Sequence, residues 1–167
     1  MMNYIHVLFS PGPRSAVVQS ARDRWETAVT SQITSPAANV ELVRAAAQAF
    51  NAGDTDECLA RITTDFIINL AELPEPMRGR EAWRQNFEMM KHAFPDVQSH
   101  IEDIFAAQDK VAVRLRIRGT HSGEFLGIPA TGRTVEYVSH EFYRIADGLI
   151  AEEWICSDVA TLFRQLS

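Results

Sequence analysis

Residues 111–118 decide the fold, and they read Val111-Ala112-Val113-Arg114-Leu115-Arg116-Ile117-Arg118. A bulky apolar side chain stands at every odd position, and an arginine stands at each of the last three even positions. Successive side chains of a β-strand point to opposite faces of the sheet, so this period of two predicts a strand with one buried face. We expect the arginines on a solvated outer face rather than in a stripe that binds phosphate.

Downstream of this strand, the sequence predicts two more strands and a closing helix. Strands are expected over Arg133–Ile145 and Leu149–Cys156, joined by a tight turn at Ala146-Asp147-Gly148. Ser157 is expected to cap a final helix with Leu162 and Leu166 on its apolar face.

Upstream, the period changes from two to that of helices. Asn39 is expected to cap a first helix, and Asp54, after the break at Gly53, a second one. The remaining predicted elements are a strand over Thr64–Ala71, a helix over Arg80–His92 and a strand over Val97–Ala107. Helices followed by an antiparallel meander predict an α+β fold, with helices covering one face of the sheet.

The domain organisation follows from a polar, breaker-containing run that ends at Pro36. Residues 1–36 are expected to form an N-terminal arm, with a short strand at Tyr4–Phe9 and a helix at Ser15–Val29. This arm is expected to pack on the domain or on a partner subunit. Residues 37–167 then form the single main domain.

Composition excludes several classes of function. The chain has 167 residues, 46% of them hydrophobic and 23% charged, which is ordinary for a globular domain. Its net charge of −6 argues against nucleic acid as a partner, and no apolar run is long enough to span a membrane. Cys58 and Cys156 lack CxxC spacing, which favours reduced thiols in a cytoplasmic protein. No GxGxxG, P-loop or HExxH motif occurs, so neither a nucleotide cofactor nor a metal is predicted.

Four stretches carry a resemblance to a known family. They are the glycine-rich loop Gly119–Arg133, the tail Tyr143–Trp154, and the helix turns Ala49–Asp54 and Gly79–Ala82. Together they resemble the SnoaL-like polyketide cyclase branch of the NTF2-like superfamily, over about residues 38–167. The resemblance implies a cone-shaped, curved antiparallel sheet wrapped around N-terminal helices. It also implies a hydrophobic cavity, an apolar small-molecule substrate, a homodimer or higher homo-oligomer, and no bound cofactor.

Catalytic candidates follow from the chemistry of the cyclases. Aldol ring closure needs a base beside a carbonyl and donors for the enolate, and a desolvated carboxylate suits the first role. By resemblance, His121 stands at the histidine of the loop motif, and Glu136 lies near the cyclase aspartate, with glutamate replacing it. Asp158 is a third candidate. Each also has a structural interpretation: His121 bonding backbone, Glu136 on a solvated face, and Asp158 capping the last helix.

The predicted substrate-binding side chains are mostly aromatic. They are Trp83, Phe87, Met90, Phe125, His140 and Trp154. The favoured hypothesis is a cofactor-free cyclase that uses carboxylate acid–base chemistry on a carbonyl-bearing apolar molecule. The alternatives are a hydroxylase, an epoxide hydrolase with an Asp-Arg-Asp arrangement, an isomerase of the same fold, and a non-catalytic module that binds lipophilic ligands or dimerises.

Overall fold

The structure is a computed structural model that describes residues 34–167. The strand and helix predicted within the N-terminal arm lie outside the described residues, so the arm stays a prediction. The helices are α1 (Pro36–Ala52), α2 (Thr55–Ala60), α3 (Gly79–Ala93) and α4 (Val159–Leu166). The strands are β1 (Ile62–Leu70), β2 (Met77–Arg78), β3 (Gln98–Ala107), β4 (Lys110–Thr120), β5 (Thr134–Ala146) and β6 (Leu149–Ser157).

Six strands of the described chain form one sheet in the order β2-β1-β6-β5-β4-β3. Strands β3 to β6 are the predicted meander, and each pairs with its neighbour antiparallel. The α+β class is therefore confirmed. One pairing departs from a purely antiparallel sheet, because β1 lies parallel to β6. A crossover through α3 and the meander separates these two strands in sequence, as parallel pairing requires.

Two of the predicted helix caps are wrong, because a nearby residue provides the cap in each case. The side chain of Ser35, not Asn39, accepts from the Ala38 amide and caps α1, with proline at the first helical position. Asn39 is buried instead and donates to the Gln108 carbonyl over 3.0 Å. The cap of α4 is Asp158 rather than Ser157. The predicted cap of α2 at Asp54 is confirmed.

Strand β4 shows the predicted alternation. Val111, Val113 and Leu115 are each at most 5% exposed. Arg114 and Arg116 lie on the opposite face, where both pair with Glu102 of β3. The inner face of the sheet packs against apolar side chains of the helices, and this arrangement positions the site.

Candidate active site

A cavity of about 160 Å³ lies between helices α1 and α3 and the inner face of the sheet. Most of its lining side chains are apolar: Val43, Phe50, Phe66, Trp83, Phe87, Met90, Val113, Leu115, Ile117, Ile150 and Ile155. No lysine, arginine or histidine stands among its lining residues within the described chain. Two carboxyl groups do, Glu141 and Glu153.

Glu141 is a buried polar group of the cavity that accepts two hydrogen bonds. Its side chain faces inward from β5, and the residue is only 7% exposed. The Ser139 hydroxyl donates to Glu141 Oε1 over 2.9 Å, and the Tyr143 hydroxyl donates to Oε2. Burial raises the pKa of Glu141, while these two hydrogen bonds oppose the rise because they stabilise the charged form. Glu141 is thus a desolvated carboxylate with two fixed donors.

Glu153 lies directly across the strand pair from Tyr143 and next to Glu141. The residue is 8% exposed, and within residues 34–167 no side chain donates a hydrogen bond to its carboxyl group. Burial raises the pKa of Glu153 well above its usual range, and the charge of Glu141 raises it further. Burial and the neighbouring carboxyl group therefore both favour the neutral form of Glu153.

A β-bulge explains why Glu153 faces inward. The pairing of β5 with β6 shifts between Arg144 and Ile145. Ile150 and Glu153 consequently both line the cavity although they are three residues apart, whereas strict alternation would turn one of them outward. The same shift turns Trp154 away from the cavity.

Cys58 also lines the cavity, but its chemistry is limited. Burial raises the pKa of this thiol to about 11, with Asp54 adding to the effect. A thiol in this state carries little thiolate at neutral pH and is a poor nucleophile. We therefore assign Cys58 a packing role in the cavity lining and no catalytic role.

The predicted substrate-binding residues divide into two groups. Trp83, Phe87 and Met90 line the cavity, where Trp83 stacks on Phe87 with ring centroids 5.1 Å apart. Their contact with a substrate stays a prediction. The other three lie elsewhere: Phe125 packs on Phe94 in a separate cluster, His140 is exposed, and Trp154 lies beneath the ammonium group of Lys110.

Glu136 lies on the outer face of β5, where its side chain is 48% exposed and pairs with Arg116. Its backbone amide donates to the side-chain oxygen of Gln165 in α4 over 2.8 Å. Of the two interpretations of Glu136, the structure agrees with the solvated face, because the alternate positions Ser139, Glu141 and Tyr143 occupy the inner face. The structure therefore separates Glu136 from the cavity.

His121 is fully buried, yet it is not part of the cavity lining. Its Nδ1 lies 3.3 Å from the Thr131 amide, which donates to it, and 3.1 Å from the Thr131 hydroxyl. Its ring packs on Phe94 at 5.2 Å. These contacts make His121 the anchor of the loop between β4 and β5, which is the structural interpretation given above.

Asp158 caps α4 by accepting from the Thr161 amide over 2.9 Å, and hydrogen bonds from Thr161 lower its pKa. The arginines required by the hydrolase alternative are also engaged elsewhere. Arg80 donates to the Ile62 carbonyl over 2.7 Å, and Arg114 pairs with carboxylates on the outer face. No arginine lies between the two cavity carboxyl groups, so the Asp-Arg-Asp arrangement is not formed within residues 34–167.

Two further observations concern the described chain alone. Across residues 34–167, every helix is too short or too polar to cross a lipid bilayer. Over the same range, no three side chains of histidine, cysteine, aspartate or glutamate are grouped as a metal site would require.

Solved structures are similar to this fold over most of the chain. AclR of Streptomyces galilaeus, a candidate hydroxylase, matches with a TM-score of 0.73 and 27% identity over 79% of this chain and 97% of its own. IdmH of Streptomyces antibioticus, a candidate polyketide cyclase, matches with a TM-score of 0.68 and 36% identity over 77% of this chain and 97% of its own. The fold is therefore that of the NTF2-like, SnoaL-type proteins.

The sequence comparisons identify the family. The profile of the SnoaL-like polyketide cyclases matches residues 40–166. The aklanonic acid methyl ester cyclase DnrD of Streptomyces peucetius is 32% identical over 131 residues, which are 76% of this chain and 89% of that protein. This chain belongs to the SnoaL-like polyketide cyclase family.

Proposed function

We propose that this protein is a cofactor-free enzyme that closes a ring in a keto-bearing, polyketide-like ester by an intramolecular aldol reaction. The observation that supports this most directly is the pair Glu141 and Glu153, two buried carboxyl groups on one apolar cavity. A module that only binds lipophilic ligands has no need of two desolvated acids, which are costly to bury.

The charge state of the pair supplies both halves of acid–base catalysis. Glu141, ionised and held by Ser139 and Tyr143, is the base that removes a proton from the carbon next to a carbonyl. Glu153, neutral, is the acid that donates to the carbonyl oxygen under attack. Pairs of groups whose environments push their pKa values apart are the usual sign of such a division of roles.

The reaction balances with these two groups. The enolate carbon formed by Glu141 attacks a second carbonyl carbon of the same molecule, and this makes the new carbon–carbon bond. The oxygen of the attacked carbonyl takes the Glu153 proton and becomes a hydroxyl group. Glu141 then carries one proton more and Glu153 one fewer, so both must exchange protons before the next turnover.

The charge of the cavity lining also favours an uncharged substrate. A free carboxylate in the cavity would meet Glu141 without any lysine, arginine or histidine to offset the repulsion. A neutral ester avoids this cost. The relatives DnrD and DauD are both aklanonic acid methyl ester cyclases, and that ester is the natural first compound to assay.

A pair of matched variants on β5 tests the proposal. Glu141→Gln keeps the size of the side chain but removes the base, and it should lower kcat on aklanonic acid methyl ester by about a hundredfold or more. Glu136→Gln, on the outer face of the same strand, should keep wild-type turnover. The opposite result, with activity lost in Glu136→Gln and kept in Glu141→Gln, would restore the assignment made from the sequence. Circular dichroism of both variants checks that they fold.

We also propose that the protein acts as a homodimer in the cytoplasm. Phe105 and Phe142 are 66% and 53% exposed, and they lie in one row across the outer face of the sheet, joined by Ala112. Burying such a row is favourable, and a second copy presents the same row. Cys58 and Cys156 are both free thiols, which supports a reducing compartment.

A further inference from the structure

Two serines connect Glu141 to the surface of the molecule. Ser139 and Ser157 face each other across β5 and β6. The Ser157 hydroxyl donates to Ser139 Oγ over 2.9 Å, and the Ser139 hydroxyl donates to Glu141 Oε1 over 2.9 Å. Ser139 is 0% exposed, whereas Ser157, the last residue of β6, is partly exposed.

We propose that Ser139 and Ser157 form a proton path between Glu141 and solvent at the end of β6. This inference rests on the proposed function in one respect, namely that Glu141 takes a proton from the substrate. With a substrate filling the cavity, that proton needs a route that does not pass through the cavity. The two hydroxyl groups supply one, because a hydroxyl both accepts and donates.

The transfer balances along the chain. The proton on Glu141 Oε1 passes to Ser139 Oγ, the Ser139 hydroxyl proton passes to Ser157 Oγ, and the Ser157 hydroxyl proton passes to water. Each serine ends with one proton, Glu141 is again ionised, and one proton has left the protein. Both hydroxyl groups must first rotate so that they donate towards solvent; after the transfer each serine proton lies on the Glu141 side, which is the donor direction seen in the structure.

If the two serines had a purely structural role, each buried hydroxyl group would need only one hydrogen-bond partner. Ser139 is buried and needs a partner, but Glu141 alone satisfies its donor. Ser157 is close enough to solvent to be satisfied by water, so its bond to Ser139 is not needed to pair a buried group. Removing the Ser157 hydroxyl therefore separates the two roles, because Glu141 keeps its bond from Ser139 while the path to solvent is cut.

The test follows the carboxyl proton itself, with naphthalene added as a neutral filler of the apolar cavity so that exchange through the cavity is blocked. In a Glu153→Gln background, the infrared band of protonated Glu141 is recorded at acidic pH after rapid mixing with deuterium oxide; loss of the band in Glu141→Gln assigns it. Ser157→Ala should slow the exchange about tenfold or more, which corresponds to about 1.4 kcal/mol of barrier. Ser157→Thr, which restores a hydroxyl group, should recover the rate.

Two controls keep the outcome decisive. Ser139→Ala removes a donor to Glu141, so it should raise the pKa read from the same band, whereas Ser157→Ala should leave that pKa unchanged. Equal exchange rates in Ser157→Ala and its parent would overturn the path. Turnover of aklanonic acid methyl ester is measured separately, so an inactive wild-type protein would count against the proposed function without altering the exchange result.

Discussion

At the scale of single residues, the cavity carries two carboxyl groups and, within residues 34–167, no lysine, arginine or histidine. Glu141 and Glu153 differ in what supports them, since Glu141 accepts two hydroxyl donors and Glu153 accepts none from residues 34–167. This difference in partners opposes the rise in pKa at Glu141 and leaves it unopposed at Glu153. The same burial that suits them to proton transfer costs stability.

That cost predicts a pH dependence of folding. Both glutamates have pKa values raised by burial, whereas an unfolded glutamate titrates near 4.3. Above that pH the unfolded chain loses protons that the folded chain still holds. The free energy of unfolding should therefore fall as pH rises from about 4.3 through the raised pKa values, by up to about 1.4 kcal/mol per pH unit for each group.

Glu153→Gln removes one of the two titrating groups and should flatten this fall. Urea denaturation at stepped pH measures the effect, and the exposed Glu136→Gln is the matched control. Parallel curves for the wild-type protein and Glu153→Gln would show that Glu153 does not take up its proton on folding.

At the scale of elements, the loop between β4 and β5 is fastened to the end of α3. The amides of Ser122 and Gly123 both donate to the Ala93 carbonyl, over 2.9 and 3.1 Å. A Cβ atom at Gly123 would lie 2.3 Å from the His92 carbonyl oxygen. That oxygen belongs to the backbone, so it cannot turn aside, and the close approach requires glycine.

Gly123→Ala should therefore destabilise the protein by about 1–3 kcal/mol, the usual cost of forcing extra atoms into a packed site. Denaturant midpoints of Gly123→Ala and of the neighbouring Ser122→Ala measure this, and the exposed Ser122 should tolerate its change. An unaltered midpoint in Gly123→Ala would mean that the loop moves off α3 at little cost.

At the scale of the whole molecule, the two faces of the sheet have different tasks. The inner face builds the cavity, and the outer face carries ion pairs around the exposed row of Phe105 and Phe142. An exposed aromatic row of this kind is costly to leave in water.

If the protein is a homodimer, we expect the exposed row of Phe105 and Phe142 to form the dimer contact. Light scattering after size exclusion should give the mass of a dimer for the wild-type protein and that of a monomer for Phe142→Glu. Leu73→Glu, at a residue that is 45% exposed but lies beyond the end of β1, should stay dimeric. A monomeric wild-type protein, or a dimeric Phe142→Glu, would contradict the proposal.

Much of the architecture can be predicted from the amino-acid sequence, because it depends on the local periodicity of apolar residues. The alternation of Val111, Val113 and Leu115 with arginines determined a strand and its buried side. The glycine-rich loop and the tail determined the family. Neither inference needs a distant part of the chain, since each depends only on neighbouring residues.

The site was decided by tertiary structure. Nothing between residues 134 and 146 says which face of β5 meets the helices, because both faces carry a glutamate and an aromatic residue. The pairing of β5 with β4 settles this by placing Glu141 opposite Val113. The bulge after Arg144 then turns Glu153 inward and Trp154 outward, and a shift of one residue in strand pairing exchanges the two faces of everything that follows.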